Sequence, residues 1–342
     1  MPDVVALGDV NVDIIAHFAS YPAKGQDALA KGTEYHCGGS AANTAIALAG
    51  MGLDVCLIAR VGSDPLTPKA LETLLEAEVA LSGLQRDPAV ATGLMYVIVT
   101  PDGERTILGH RGANVFTDPN QIREQDFQGA KLFHLSGYAL LADPQRSAAL
   151  LSLEMACRHG LTVTLDPGMS VPQAVLDEMH ALLPVVDIFM PNLAEAQRLT
   201  DQIRPEQCAR DLLEMGAEVV ALKLGGNGCL IGDRDGFRHV PCFSVETRDT
   251  TGAGDSFAAG VIAGLLGGLD LCSAAILGNA MGAVAAAHIG AGTLIPWPQE
   301  VLKLLSDHRQ GTSHRECGDA FQRAVSFVGA LAKRSEEEGK TR

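Results

Sequence analysis

The sequence predicts a three-layer α/β fold: a central, mostly parallel sheet between two helical layers, with a small β lid added. Two observations carry that expectation. Short β-rich apolar runs at 4–8, 55–61, 132–136, 161–166, 187–190 and 219–225 alternate with stretches of helical period at 41–51, 68–78, 146–159, 172–183, 205–215, 253–267 and 271–288. Such alternation builds a parallel sheet, because each connecting helix must pack back across one face of it. The pattern then breaks twice, near 12–36 and 93–110, where GLMYVIVTPDGERTILGHRG reads as a hairpin turning at Pro101-Asp102-Gly103. A β flap inserted into the α/β body accounts for both breaks. After Pro296-Trp297-Pro298 a helix near 299–306 closes the main pattern, so 1–306 reads as one domain. Residues 307–342 read as a C-terminal helical extension with a frayed tail.

Composition narrows the function classes. The chain of 342 residues is 47% apolar and 20% charged, enough to build a sizeable core. Its 26 basic and 41 acidic residues leave a formal net charge of −15, which opposes a broad grip on nucleic acid or on an anionic membrane. A small or phosphate-bearing ligand is not opposed, because local amides and a few cations can outweigh the global field. No apolar run reaches the ~18 residues that span a bilayer, and MPDVVALGDV lacks a basic segment followed by a long apolar one, so a cytoplasmic protein is expected. The eight cysteines, at 37, 56, 157, 208, 229, 242, 272 and 317, form no CxxC pair and read as reduced thiols. His314 and Cys317 have no second pair to complete a zinc site.

In open α/β sheets ligands sit beyond the carboxyl ends of the strands, so the strand-to-helix junctions hold the chemistry. DTTGAGDSFAAGVIAGLLGG, at 249–268, opens an apolar helix with Gly252, Ala253 and Gly254. Unpaired N–H groups and the helix dipole favour an anion there, and glycine lets a phosphate approach the backbone. Asp255 in the first turn is placed to take a proton from a hydroxyl attacking phosphorus, or it merely complements the dipole. HCGGSAANTAIALAGMG, at 36–52, puts Gly38, Gly39 and Asn43 at a second helix start. The Asn43 amide suits sugar hydroxyls and equally suits a cap. Asn11 and Asp13 follow the first strand, as ligand groups or as a plain turn. In MPNLAEA, at 190–196, Asn192 and Glu195 suit the water shell of Mg2+, or a capping box. KLGGNGCLIG, at 223–232, ends a strand in glycines, and Asn279 lies in a later apolar helix. A flat base fits between such a turn and that helix, and an ordinary hairpin explains the turn alone.

Other chemistries lack support. GKT at 339–341 has Arg334 where a phosphate-binding P-loop needs its first glycine, and no GxGxxG opens a helix after a strand. Ser256 follows Gly254-Asp255 as a hydrolase nucleophile would, but His288, in an apolar helix, reads as a buried structural residue rather than a triad partner.

Taken together these residues resemble the PfkB family of carbohydrate kinases, with the ribokinase-like fold. GGSAANTAIALAGMG looks like the family's N-terminal signature and DTTGAGDSFAAG like its C-terminal one, about two hundred residues apart, and the resemblance extends over roughly 1–306. It implies an ATP-dependent phosphotransferase that uses Mg2+ to phosphorylate a primary hydroxyl of a sugar, sugar acid or nucleoside. By the same resemblance Asp255 is the catalytic base, and the amides of Gly252, Ala253 and Gly254 stabilise the transferring group. Asn11, Asp13, Gly38, Gly39 and Asn43 fall on the sugar side, while Asn192 and Glu195 organise Mg2+ and phosphates. Gly225 and Gly228 flank the nucleotide, Lys223 stands where many relatives have threonine, and Asn279 is on the adenine side. Asp249 and Thr251 match part of a monovalent cation (K+) site whose later ligands fall near 286–294. The flap serves such kinases as a lid and often as a homodimer interface.

Two departures bear on the substrate. GGSAANTA stands where ribokinases commonly read GGKGANQA, and Ser136-Gly137 replaces their acidic sugar ligand, so ribose does not follow. Arg105 and Arg111, in or just after the flap, suit a carboxylate or phosphate on an acidic sugar, or simply solvate an edge strand. An adenosine-type nucleoside kinase and a non-catalytic sugar- or nucleotide-binding regulator on the same fold are the alternative readings.

Overall fold

A computed structural model describes residues 1–101, 105–168, 173–288, 290, 296–308, 317–337 and 339. Its strands are β1 (Val4–Leu7), β2 (Asn11–His17), β3 (Gly32–Gly38), β4 (Val55–Val61), β5 (Leu84–Arg86), β6 (Gly93–Val99), β7 (Arg105–His110), β8 (Leu132–Ser136), β9 (Thr162–Asp166), β10 (Ile188–Phe189), β11 (Val219–Lys223), β12 (Cys229–Asp233) and β13 (Gly236–Val240). Nine of them form one sheet in the order β13-β12-β11-β10-β9-β8-β1-β4-β5. Pairing is parallel from β5 to β11, and the β12–β13 hairpin extends that edge antiparallel. All four residues of β1 are 0% exposed, which requires cover on both faces of the sheet. Val4 and Ala6 point into one apolar cluster, Val5 and Leu7 into the other.

The helices divide accordingly. α1 (Ser40–Gly50), α2 (Thr67–Glu76), α7 (Ala253–Leu266), α8 (Leu271–Ala286), α9 (Pro298–Asp307) and α10 (Gly318–Glu337) cover one face. α3 (Gln145–Arg158), α4 (Gln173–Leu182), α5 (Leu193–Thr200) and α6 (Pro205–Glu214) cover the other. α10 lays Phe321, Ala324 and Val328 against the core beside α8 and α9. No described helix is long and apolar enough to cross a membrane.

Strands β3-β2-β6-β7, in that order, make a separate four-stranded sheet, the small β lid of the sequence reading. Its strands come from the two stretches that broke the α/β alternation, and β6 and β7 pair antiparallel from Leu94↔His110 to Val99↔Arg105. The turn expected at Pro101-Asp102-Gly103 lies partly outside the described residues. Asn11 and Asp13 correct the turn reading: both are on β2, with Asp13 opposite His36 and Met95. One lid face carries the row Tyr35, Ile14, Tyr96, Leu108, and three of these are 46%, 49% and 52% exposed: Tyr35, Tyr96 and Leu108. His288 is also corrected. It lies beyond the end of α8, half-exposed and 3.7 Å from Glu300, because the apolar helix stops at Ala286.

α7 and α8 run through the interior almost without polar residues, and small side chains let them touch. A Cβ built on Gly260 would meet the Gly278 Cα at 2.7 Å, a distance the packing cannot accept. Gly260→Val should therefore separate the two helices and lower stability by about 1–3 kcal/mol. Thermal unfolding would record this as a loss of several degrees in Tm, and an unchanged Tm would contradict the packing account.

Candidate active site

The carboxyl ends of β9, β10 and β11 approach the start of α7: Asp166 pairs with Lys223, and Lys223 and Asn192 line one cavity with Gly254. Gly252 precedes that helix with φ of 74°, in the left-handed region that glycine tolerates. The N–H groups of Gly252 and Gly254 have no backbone acceptor among the described residues, whereas the Ala253 N–H donates to Thr250 O at 3.2 Å. The expected three-amide anion pocket thus has two open amides, because Ala253 closes the turn that creates it.

Asp255 sits in the first turn of α7, and its carboxylate is gripped from α1. Ser40 Oγ donates to Oδ1 at 2.8 Å and Asn43 Nδ2 donates to Oδ2 at 2.7 Å. Burial pushes the Asp255 pKa up to about 6, helped by the charge of Asp166 and opposed by the two hydrogen bonds and by Lys223. Asn43 does not cap a helix. Gly39 is the N-cap of α1 and Asn43 lies inside the first turn, so its amide is free to serve Asp255. Gly39, with φ of 102°, brings this helix start against the β1–β2 connection, where a Cβ would sit 2.2 Å from Asp9 O. A Cβ on Gly38 would run into the Asp13 carboxyl at 2.2 Å.

Three buried oxygens around this point have no hydrogen-bond partner among the described residues: Asp13 Oδ1, Asn43 Oδ1 and Ser136 Oγ. Buried polar atoms in folded proteins are as a rule satisfied; orphans also occur here at His36, His134, Ser152, Gln299 and Glu300, and the three oxygens of Asp13, Asn43 and Ser136 are the ones that accompany the glycine-rich start of α1. Asp13 is pushed up to about 7 by burial and then by Asp255 and Asp249. Asn11 accepts from Asn114 Nδ2 at 2.9 Å, which orients its amide. Arg111 departs from the expectation of a ligand for an acidic sugar. It donates through Nε and Nη2 to Asp9 at 2.7 and 2.8 Å, and also to Gln145, so a buried carboxylate already neutralises it. Arg105 opens β7, and its side chain lies outside the described residues.

Against the first turn of α7 lies a cavity of about 520 Å³, lined by Lys223, Gly225, Gly228, Gly254, Phe257 and Asn279 among others. The glycine turn is at once the turn of the β11–β12 hairpin and one wall of this cavity. Asn279 Nδ2 donates to Val240 O at 2.9 Å and to Pro241 O at 3.1 Å, fixing the amide in the opposite wall. Asn192 and Glu195 do form the capping box: Asn192 Oδ1 accepts from Glu195 N at 2.9 Å, and Glu195 Oε2 accepts from Asn192 N at 2.8 Å. Burial, then Asp166, pushes Glu195 up to about 8. Among the described residues no cluster of three His, Cys, Asp or Glu could enclose a metal. That donor set fits an ion such as Mg2+ that keeps its own waters and rides on phosphates. Asp249 accepts from Thr251 N and Oγ1 at 2.9 and 2.7 Å and from Gly290 N at 3.0 Å; the later K+ ligands expected near 286–294 fall largely outside the described residues.

Residues 1–298 match the model of the pfkB family of carbohydrate kinases. The chain belongs to that family. A 33% identical relative, over 90% of this chain and 99% of its own length, is the ATP-dependent ribose-1-phosphate kinase of Halopiger xanaduensis. The deoxyribokinase of Salmonella typhi is 29% identical over 75% of this chain and 83% of its own. A structure from E. coli described as a Ribokinase II, in complex with ATP and Mg2+, superposes with a TM-score of 0.81 at 25% identity, covering 90% of this chain and 100% of that one. The protein is accordingly a carbohydrate kinase with the ribokinase fold.

Several residues of this kinase's site escaped the sequence reading. Ser40 was visible only as a departure from a lysine, and Ser136 only as the loss of an acid. Asp166 could have been found, since it is the last residue of β9 and faces the same edge as Lys223. Asp9 and Gln145 have no local signal.

The raised carboxyl groups give stability a pH slope. A carboxyl whose folded pKa exceeds its unfolded value stabilises the fold at low pH, and this contribution is lost as pH rises through the folded value. For Asp13 and Glu195 the loss extends to about 7 and about 8. His134, lowered to about 4 by burial, acts in the opposite sense but only below its ordinary 6.5. Between pH 6.5 and 8 the ligand-free kinase should melt at lower temperature as pH rises, and Asp13→Asn should flatten that slope. An equal slope in the variant would refute the burial of an ionisable Asp13.

Proposed function

We propose that Asp255 is the general base of the kinase and that the orphaned oxygens beneath the lid bind the hydroxyls of a sugar. The observation that carries this reading is the position of the Asp255 carboxylate. It is held by Asn43, which carries one of the orphaned oxygens, and it belongs to the helix whose residues Ala253, Gly254 and Phe257 line the cavity walled by the glycine turn. A substrate hydroxyl oxygen attacks the terminal phosphorus, its proton passes to Asp255, and the bond from that phosphorus to the bridging oxygen of ADP breaks. The open amides of Gly252 and Gly254 receive negative charge on the phosphoryl oxygens. Mg2+ arriving with the nucleotide supplies further neutralisation of that charge. Asn192 and Glu195, already paired in their capping box, would hold that ion through their remaining oxygen lone pairs. Gly225, Gly228 and Asn279, which line the cavity, would hold the base of the nucleotide. Ser40 and Asn43 keep Asp255 aimed and hold its pKa below what burial alone would impose. Residues 1–306 would carry this chemistry, with α10 as an appended helix. An ATP-using enzyme with eight unpaired thiols suits the cytoplasm.

Asp255→Asn should lower kcat by about 10²–10⁴-fold while ATP affinity persists. ADP release with ATP, Mg2+ and a panel of pentoses, hexoses and sugar acids measures both. In the wild type, kcat/KM should fall as pH drops through about 6, because the base must be ionised. A variant with near-normal turnover would remove Asp255 from this role.

The lid supports a second proposal, that two copies pair through it. The row Tyr35, Ile14, Tyr96, Leu108 leaves apolar surface on the face away from Asp13, as a self-complementary contact requires. Leu108→Asp should convert a dimer to a monomer in sedimentation equilibrium. A wild type that is monomeric at assay concentration would sink the proposal.

A further inference from the structure

Three consecutive strand ends place Asp166, Asn192 and Lys223 side by side on the carboxyl edge of the sheet. Asp166 closes β9, Asn192 follows β10 and Lys223 closes β11, with Lys223 N donating to Pro191 O at 2.8 Å. The Lys223 ammonium donates to Asp166 Oδ2 at 2.5 Å, with 13% and 5% of the two side chains exposed. It also rests against the start of α7, since a Cβ built on Gly254 would lie 3.5 Å from Nζ. Among the described residues lining the nucleotide cavity, Lys223 carries the single cationic side chain. Asp166, Glu195 and Asp255 are the acids that act on it, and Asp166 is in direct contact. Burial disfavours the ammonium, but Asp166, then Glu195 and Asp255, more than reverse this and raise its pKa.

A triphosphate entering so acidic a place needs a mobile cation, and the flexible lysine stem provides one. We propose that Lys223 grips the terminal phosphate: Asp166 holds its ammonium beside the Gly254 amide until nucleotide arrives, and the ammonium then exchanges the carboxylate for a phosphoryl oxygen. The inference rests on the kinase reading and adds to it a specific partner for the third phosphate. No bond is made or broken in the exchange, which replaces one charge-assisted hydrogen bond by another. Lys223 and the Gly252 and Gly254 N–H groups then converge on one phosphoryl group from two sides.

The test is calorimetric titration of ATP, ADP and AMP, at constant Mg2+, into wild type, Lys223→Met, Lys223→Arg and the double variant Asp166→Asn/Lys223→Met. The double variant removes both charges of the buried pair and so avoids stranding Asp166. Lys223→Met and the double variant should lose ATP affinity by roughly ten- to a hundredfold, with AMP affinity kept within about twofold, and Lys223→Arg should recover part of the loss. Equal ATP affinity in wild type and in a folded variant lacking the lysine would overturn the assignment. So would a parallel loss for ATP and AMP, which would mark a purely structural lysine. If instead the wild type bound no ATP and released no ADP with any sugar, the kinase reading would fail as well. Normal wild-type turnover beside an unaffected variant would remove Lys223 alone.

Discussion

The grip of α1 on the Asp255 carboxylate is the interaction on which the rest of the site depends. Ser40 and Asn43 lie 215 and 212 residues away from Asp255 in the chain, yet each donates to one of its two oxygens. The grip joins the two apolar helices that follow the glycine-rich turns and fixes how far apart their N-termini lie. On one side of this contact Asn43 carries an orphaned oxygen, and on the other α7 lines the cavity through Ala253, Gly254 and Phe257. The carboxylate is therefore oriented by polar donors rather than by hydrophobic packing, as a group that must exchange a proton requires.

Holding several carboxyl groups out of water has a cost, and the site shows where it is borne. Asp13, Asp255 and Glu195 are all pushed upward by burial, and each is also raised by a neighbouring acid. Their helpers differ. Asp255 has two hydrogen bonds and Glu195 has the amide and side chain of Asn192, whereas Asp13 Oδ1 has no partner among the described residues. An arrangement unfavourable for stability in this way is typical of a binding site, where a ligand supplies what the protein withholds. Asp9 shows the opposite solution: Arg111 and Gln145 satisfy it within the protein, and it becomes part of the frame.

The fold was legible because its signals are local and repeated. The β1 run VVAL is apolar on both faces, which only a covered parallel strand tolerates, and the breaks at 12–36 and 93–110 stand out against the rhythm of such runs. The sheet edge was harder to read. β5 has three residues, and neither it nor β13 is among the runs that alternate with helices, because short edge strands carry too few positions to establish a period. Helix starts behaved similarly. The capping box at Asn192 was readable from three-residue spacing, but the same spacing could not tell whether its carboxylate would be buried or solvated.

The sequence by itself determined the layer architecture, the two glycine-rich helix starts and the identity of the acid in the first turn of α7. These depend on neighbours a few residues apart, which composition and periodicity record. Only the tertiary structure decided that Arg111 belongs to Asp9, that the Ala253 amide is closed by Thr250, and that Asp166 and Lys223 form a pair at adjacent strand ends. Each of these is a matter of distance and burial between segments far apart in the chain. The charge of a side chain is written in its name, but whether that charge is available to a ligand depends on what the fold places beside it.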